Sequence, residues 1–237
     1  MSNETQEDLN DVMKMRRTKL TQLKEMGTNP FAYEYSRSHS ADQIIADFDN
    51  LEDKEVSIAG RVMSLRRMGK AAFAHIMDAS TRIQIYIRKN EISEEQFEAF
   101  KLMDIGDIVG VIGKPTKTKT GEITLFGTEI VLLTKNLRPL PIVKEKEEDG
   151  KKVTYDAFAD TEARYRQRYV DLIVNRDVKD VFEKRSRIIS SMRKYLDELG
   201  YLEVETPVLQ PMYGGASARP FITHHNALDI PLYMRIA

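Results

Sequence analysis

The chain contains no cysteine, and this absence excludes several kinds of site. Disulfides, thiolate zinc sites and a cysteine nucleophile all require that residue. No run of residues approaches the roughly 20 apolar positions that a membrane-spanning helix needs. The acidic, polar N-terminus (MSNETQEDLND) also lacks the apolar core of a signal peptide. We therefore expect a cytoplasmic protein with no membrane partner.

The chain also has no large excess of positive or negative charge, because its net charge is only −1 over 237 residues. Bulk electrostatics therefore does not indicate a nucleic-acid-binding protein. One stretch departs from this balance: between Asp11 and Lys24 there are five basic residues and one acidic residue. A basic helix of this kind can meet phosphate, and a solvated helix face explains it equally well.

The common catalytic and metal-binding patterns are absent too. Gly69-Lys70 has Ser64, not glycine, five positions before it, and Ala71 follows it, so it is not a phosphate-binding loop. His224 and His225 are adjacent, and adjacent residues of a strand point to opposite faces, so the two cannot chelate one metal together. We assign no catalytic residue and no metal ligand to this chain.

What is present in the first half is a succession of helical patterns and period-two strand patterns. A helix is predicted from about Asp8 to Met26, and a short helix over 41–48 with Ser40 as its cap. Three period-two strands follow, beginning at Val56, Ala72 and Arg82, with a tight turn from Asp78 to Thr81.

A capping box at Ser93 and Gln96 starts the next helix, with Ile92 and Phe97 at the staple positions. Strands over 108–114 and 122–133 follow it. Three strands, a helix and two strands is the order of the OB barrel, and such barrels bind single-stranded nucleic acid on the face of strands two and three. Taken by its alternation alone, Phe73 of the second strand is a core residue.

The second half begins after a charged, solvated linker at 144–152. A helix is predicted over 161–174, with three arginines that either grip phosphate or brace an interdomain contact. A long amphipathic helix over 180–199 then ends at Gly200, and an extended strand over 202–206 is closed by Pro207. The chain is expected to reach Ala237 inside a further strand.

Two features of this half have alternative interpretations. Glu203 and Glu205 share one face of the predicted strand, where they form either a solvated face or a catalytic carboxylate pair. Gly214–Ala216 allows close approach of the backbone to a ligand, although a Gly-Gly pair is also common in simple turns.

Several strings along the chain match one family. They are Ile58–Arg61 (IAGR), Met68–Phe73 (MGKAAF), Thr118–Glu122 (TKTGE), Leu137–Pro141 (LRPLP), Glu162–Tyr169 (EARYRQRY), Gly200–Leu209 (GYLEVETPVL), Gly214–Phe221 (GGASARPF) and Thr223–Leu228 (THHNAL). Together they resemble the N-terminal half of bacterial-type class II lysyl-tRNA synthetases. RYRQRY and ARPFxTHHNALD separate the chain from the aspartyl and asparaginyl relatives.

The resemblance implies an α+β fold in four parts. An N-terminal helical extension occupies residues 1–50, and a five-stranded OB β-barrel that binds the anticodon occupies 51–141. A linker over 142–160 leads to the beginning of an antiparallel α/β class II catalytic domain at 161–237, incomplete, with its motif 1 at 180–209.

The resemblance also implies roles for individual residues. Phe73 resembles the aromatic residue that stacks on the central anticodon uridine. Gln84 and Glu122 resemble the residues that hydrogen-bond anticodon bases, with Arg61 and Arg66 near the same surface. Single-stranded bases are read by stacking and by contacts to their Watson–Crick edges, so the residue types suit this role.

In the second half, the resemblance places Pro207, Glu203 and Glu205 in the motif 1 dimer interface and Gly215 and Ala216 in a loop that closes on lysine. The family activates lysine with ATP and Mg²⁺ as lysyl-adenylate and transfers it to tRNA(Lys). The ATP-binding Phe-Arg-x-Glu and Gly-x-Gly-x-x-x-Arg motifs do not occur in this sequence, so the ATP and Mg²⁺ ligands are not expected in it.

Two hypotheses follow. The first is that the chain is a fragment of a lysine–tRNA ligase, acting as part of a homodimer, with tRNA(Lys), lysine and ATP as partners of the full enzyme. The second is a catalytically inactive stand-alone tRNA-binding OB module. The expected end inside a strand favours the first, because a stand-alone module would be expected to end after Pro139.

Overall fold

The computed structural model describes residues 3–141, 144–148, 151–155 and 158–237, with side chains for 10–141 and 158–237. The predicted solvation of the 144–152 run concerns side chains outside the described residues. Two compact units can be distinguished, Met1–Val174 and Asn175–Ala237. In the described part of the chain, no helix has the length and apolar character that crossing a membrane requires.

Within the described residues of the first unit there are six helices and seven strands. They are α1 (Asn3–Glu25), α2 (Ala41–Ala46), α3 (Phe48–Leu51), β1 (Val56–Met68), β2 (Ala71–Met77), β3 (Arg82–Arg88), α4 (Glu94–Lys101), β4 (Ile108–Lys117), β5 (Ile123–Thr134), β6 (Lys144–Glu148), β7 (Lys151–Tyr155), α5 (Thr161–Arg166) and α6 (Arg168–Val174). The second unit contains α7 (Arg176–Glu198), β8 (Leu209–Gln210), β9 (Ile222–His225) and β10 (Ile230–Met234).

Strands β1 to β5 close into a barrel in the order β1-β2-β3-β5-β4, which confirms the predicted OB fold. Only the β3–β5 pairing is parallel. Alternate positions of the strands turn mostly apolar side chains into the barrel, and these fill its interior. The inward residues that are at most 2% exposed include Ile58, Ile76, Ile83, Ile85, Ile87, Val111 and Leu125.

A β-bulge in β1 changes which side chains face outward. Val62 pairs with Ile76 and is buried, and the register then shifts before Ser64. Without the shift Ser64 would point inward like Val62. With it, Ser64 lies opposite His75 and Arg66 lies opposite Phe73 on the outer face. Bulges redirect side chains in this way, and the sequence alternation alone did not predict this one.

The N-terminal helix is fixed to the barrel by its basic residues. Arg16 is buried and donates to the carbonyl oxygens of Asn136 and Ile105 at 2.9 and 3.0 Å. Lys19 forms an ion pair with Asp104. Lys14 pairs with Asp11 on the helix surface. Three of the five basic residues of this stretch thus have partners within the chain, which weakens the phosphate interpretation.

A buried ion cluster joins the α4–β4 connection to the end of β5. Lys135 is fully buried and contacts Asp104 at 2.7 Å and Asp107 at 2.8 Å. Burial alone would raise the pKa of Asp104, but hydrogen bonds from Lys135 and Lys19 outweigh it and the pKa is lowered. A buried pair of this kind is costly to break from one side.

Two predicted local signals are confirmed. Asp78 accepts hydrogen bonds from the backbone N–H groups of Ser80 and Thr81, at 2.7 and 3.0 Å, and closes the β2–β3 turn. Ser93 caps α4 by accepting from the Gln96 N–H at 3.1 Å. The predicted helix over 41–48 is wrong in extent, because it ends at Ala46 and α3 begins at Phe48.

The predicted helix over 161–174 is wrong as one element, because Gln167 separates α5 from α6. The break lets Arg164 and Arg168 both reach the fully buried carboxylate of Asp171, Arg164 at 2.9 Å. Arg166 pairs with Glu162 on the surface. The three arginines therefore pair within this segment.

In the second unit, α7 ends as predicted, with Gly200 in the left-handed conformation at φ 82°. The strand predicted over 202–206 is wrong, since the sheet β8-β10-β9 begins only at Leu209. The short β10 supplies pairing partners only for Leu209 and Gln210. The last strand also ends at Met234, before the predicted point. None of residues 175–237 is buried.

Candidate nucleic-acid interface

A cleft of about 710 Å³ lies on the outer face of the barrel, over β1, β2 and β3 and beside the β4–β5 turn. It combines an aromatic ring, hydrogen-bonding side chains and cationic groups. Its lining residues are Ser64, Leu65, Arg66, Phe73, His75, Gln84, Thr118, Lys119, Thr120 and Glu122.

The floor of the cleft is formed by the side chains of β2 and β3 that point out of the barrel. Ala72 and Ala74 of β2 are buried inside the barrel, so Phe73 between them points outward and is partly exposed. The structure thus contradicts the core position that alternation alone gave Phe73. His75 shares its face and lies directly opposite Gln84 of β3.

Three aromatic rings form a row across this outer face. Phe73 of β2 lies opposite Tyr86 of β3, with ring centroids 4.5 Å apart. Tyr86 lies opposite Phe126 of β5, with centroids 5.1 Å apart and the rings edge to face. Such pairs stabilise one another beyond their buried area, so the rings form a rigid aromatic surface.

Beside this row, side chains form a continuous hydrogen-bonded chain. Thr124 Oγ1 donates to Gln84 Oε1 at 2.7 Å, and Gln84 Nε2 donates to Glu122 Oε2 at 2.9 Å. His75 bridges the other carboxylate oxygen of Glu122, at 3.1 Å, and the hydroxyl of Ser64, at 2.8 Å. The amide orientation of Gln84 is set by these partners, and its acceptor and donor ends are both defined.

The β4–β5 turn positions Glu122. Thr118 N–H donates to the Glu122 carbonyl at 3.0 Å, and Gly121 N–H donates to the Thr118 carbonyl at 2.8 Å. Gly121 adopts φ 85°, which favours glycine over other residues. Lys119 at this turn and Arg66 on β1 are both exposed at the rim.

Comparisons with known proteins match both halves of the chain. Residues 56–133 match the model of the OB-fold nucleic acid binding domain, and residues 160–237 match the model of the class II tRNA synthetases (D, K and N). The chain is 52% identical to the lysine–tRNA ligase of Pelotomaculum thermopropionicum over 232 residues and 52% identical to that of Bacillus subtilis over 238 residues. The chain thus contains an OB-fold nucleic acid binding domain and a class II tRNA synthetase segment, and the relatives that it matches over nearly its whole length are lysine–tRNA ligases.

The two alignments cover 98% of this chain, but only 44% and 46% of the respective relatives. The lysine–tRNA ligase of Carboxydothermus hydrogenoformans matches in the same way, at 50% identity over 98% of this chain and 45% of its own length. The chain thus spans less than half the length of the curated relatives it matches.

Of the barrel residues that the synthetase resemblance singled out, the structure brings four together in the cleft. Arg66, Phe73, Gln84 and Glu122 all line it. Arg61 does not, because it lies on β1 before the bulge and donates to the Gly106 carbonyl at 2.7 Å. Burial lowers the pKa of Arg61, and the nearby Asp107 opposes that shift.

His75 is one of six cleft residues that sequence reasoning missed, the others being Ser64, Leu65, Thr118, Lys119 and Thr120. A signal was available, since His75 is two residues after Phe73 and the period of a strand places both on one face. Its contacts with Ser64 and Glu122 depend on the bulge in β1 and on the β4–β5 turn, neither of which is visible in the local pattern.

The residues singled out in the second unit are all at its surface. Glu203 accepts from Arg193 Nε at 3.1 Å, so its carboxylate is engaged in an ion pair. Gly215 has φ 89°, and an added Cβ would lie 2.8 Å from that of Ala237. Ala216 and Pro207 are exposed. Among the described residues, no group of three His, Asp or Glu side chains could hold a metal ion.

Proposed function

We propose that this chain is the part of a lysine–tRNA ligase that reads the anticodon of tRNA(Lys) and forms the homodimer. The full enzyme would activate lysine with ATP as lysyl-adenylate and transfer the lysyl group to the tRNA, in the cytoplasm. The observation that carries the proposal is the OB-barrel cleft in which Phe73 lies beside the fixed Gln84–Glu122 pair.

The cleft suits a uracil base. The outward ring of Phe73 offers a face for stacking, which is worth about 1–3 kcal/mol per base. The Glu122 carboxylate accepts hydrogen bonds only, and Gln84 can donate through its amide nitrogen. Uracil presents an N–H donor flanked by carbonyl acceptors on its Watson–Crick edge, so the two side chains complement it.

The rim suits the nucleic-acid backbone. Arg66 on β1 and Lys119 at the β4–β5 turn are exposed cations that line the cleft. Cations at such positions neutralise phosphates and release counterions. Arg61 contributes indirectly, because it holds the Gly106 turn beside the barrel and does not reach the cleft.

In the second unit, we assign the dimer interface to α7 and to the segment with Glu203, Glu205 and Pro207. Apolar side chains of α7 are exposed along its length: Val181, Ile188, Met192, Tyr195 and Leu199 are each more than 50% exposed. Surfaces of this kind mark protein interfaces, and a second copy of the chain is the occupant that the family offers.

The remaining assignments concern lysine, ATP and Mg²⁺. Gly215 and Ala216 would belong to a loop near lysine, where a residue without a side chain lets the backbone approach closely. The described residues do not fit magnesium–ATP, because no three carboxylate or imidazole side chains among them come together. We therefore assign no step of the adenylation chemistry to this chain.

The test is binding of anticodon stem-loops to the full chain, measured by fluorescence anisotropy. A stem-loop with UUU should bind more tightly than one with the central uridine replaced by cytidine, because cytosine N3 carries no hydrogen for Glu122 to accept and its N4 amino group would face the donor of Gln84. Equal affinity for the two stem-loops would overturn the proposal.

A further inference from the structure

The aromatic row extends beyond the cleft that contains Phe73. At the Phe126 end of the row a second cleft opens, with a volume of about 260 Å³. It shares Tyr86 with the row and carries two cationic side chains. Its lining residues are Tyr86, Arg88, Glu91, Lys114, Phe126, Gly127 and Thr128.

The second cleft exists because two strands part at this point. β3 and β5 pair in parallel only as far as Ile87 and Gly127. The β4–β5 register shifts between Ile112 and Gly113, next to the same place. An added Cβ on Gly127 would lie 2.4 Å from Ile87 Cδ1, so this position has no room for a side chain. Because this side-chain position points into the barrel, towards Ile87 and Val111, Gly127 lines the cleft with its backbone.

The charges around this cleft favour an anion. Lys114 lies directly opposite Phe126 in the β4–β5 register and is exposed. Arg88 is half exposed, and its only recorded carboxylate neighbour among the described residues is Glu91, at 3.8 Å. Two cations and one carboxylate thus surround two aromatic rings, a combination that fits a base together with its phosphate.

We propose that the second cleft binds a nucleotide adjacent to the one read in the Phe73 cleft, with its base on Phe126 and Tyr86 and its phosphate on Lys114 and Arg88. This inference rests on the proposed function of the first cleft. Tyr86 belongs to both clefts, so a single strand that follows the row of rings passes from one to the other.

The two clefts differ in how they read a base. The first contains the fixed amide–carboxylate pair of Gln84 and Glu122. In the second, the hydroxyl of Thr128 already donates to the Ile112 carbonyl at 3.3 Å, and Arg88 and Glu91 form an exposed ion pair at 3.8 Å in place of a hydrogen-bonded amide–carboxylate pair. Stacking without such a pair tolerates every base, because each has a π face. The second cleft therefore adds affinity without base preference.

The test uses the full chain, the UUU stem-loop and two variants, Phe126→Leu and Lys114→Gln. Phe126→Leu keeps an apolar side chain of similar size and should weaken binding about fivefold or more. Lys114→Gln should weaken binding and reduce the slope of log K against log salt by about 0.7. In both variants, the ratio of affinities for UUU and UCU stem-loops should stay at its wild-type value.

Tyr33→Leu and Lys101→Gln are matched controls, because Tyr33 is fully exposed and neither residue lines a cleft described above. Unchanged affinity and salt slope in both test variants would overturn the second site while leaving the proposed function intact. A wild-type chain without UUU preference would overturn the proposed function. Binding of polyglutamate, lost in Lys114→Gln and not displaced by oligouridylate, would overturn the second site in favour of an acidic protein partner.

Discussion

Replacing Phe73 with alanine separates stacking on the base from the rest of the cleft. The ring is on the outer face of β2, with its centroid 4.5 Å from that of Tyr86. Its neighbours Ala72 and Ala74 supply the core contacts of this part of the strand. The substitution therefore removes the proposed base-binding face and one aromatic pair, and leaves the inward packing of β2 in place.

The two effects differ in size and in assay. Loss of a stacked base should cost about 1–3 kcal/mol of binding free energy, which corresponds to a roughly 5- to 140-fold weaker Kd for the UUU stem-loop. Loss of the Phe73–Tyr86 pair should cost about 0.5–1.5 kcal/mol of unfolding free energy. Anisotropy measures the first and chemical denaturation the second.

Phe73→Leu and Tyr33→Ala complete the design. Phe73→Leu should retain most of the stability and still lose the stacking energy, because its side chain has no π face. Tyr33→Ala removes an aromatic residue outside the cleft and should bind as the wild type does. Equal Kd values for wild type and Phe73→Ala, with both folded, would refute the stacking role.

Four further predictions follow from other contacts. His75→Ala should reduce discrimination between UUU and UCU stem-loops, because Glu122 then lacks one of its two side-chain partners; an unchanged affinity ratio would contradict this. The pKa of Asp104 is lowered, so its contribution to stability is present above the ordinary Asp pKa of about 3.9 and is lost as pH falls through the lowered value; Asp104→Asn should flatten that part of the denaturation profile. Ile188→Glu on α7 should shift sedimentation equilibrium towards monomer, and a wild-type chain that is already monomeric would contradict the dimer role. With lysine and ATP the chain should catalyse no ATP–pyrophosphate exchange, and measurable exchange would show that prediction to be wrong.

The barrel could be predicted because its strands carry one-sided apolar alternation. Ile83, Ile85 and Ile87 read unambiguously as an inner face, and the structure buries all three. The strand with Phe73 had no unambiguous inner face in the sequence, because apolar residues occur on both of its faces. Ala72, Ala74 and Ile76 lie on one face, and Phe73 and Met77 lie on the other. In β2 the face with the small residues is the inner one, and only the pairing with the neighbouring strands decides which face points inward.

The cleft depended on features that local pattern does not encode. The bulge after Val62 contains no glycine or proline that would announce it, yet it turns Ser64 towards His75. Arg61 is five residues before Arg66 on β1, and the resemblance to the synthetases grouped both arginines with the cleft. The bulge lies between them, which is why Arg61 reaches Gly106 and Arg66 reaches the cleft.

The two units differ in how their side chains are covered, and this difference bears on what each can do alone. The barrel has a core of residues that are nearly fully buried, and both clefts are built on its strands. Residues 175–237 contain no buried side chain, and the apolar residues of α7, such as Ile188 and Met192, are exposed. Under the proposed function, base recognition would require only residues of the barrel. The proposed dimer would bury this apolar surface between two copies of the chain, so the stability of the second unit should then depend on protein concentration.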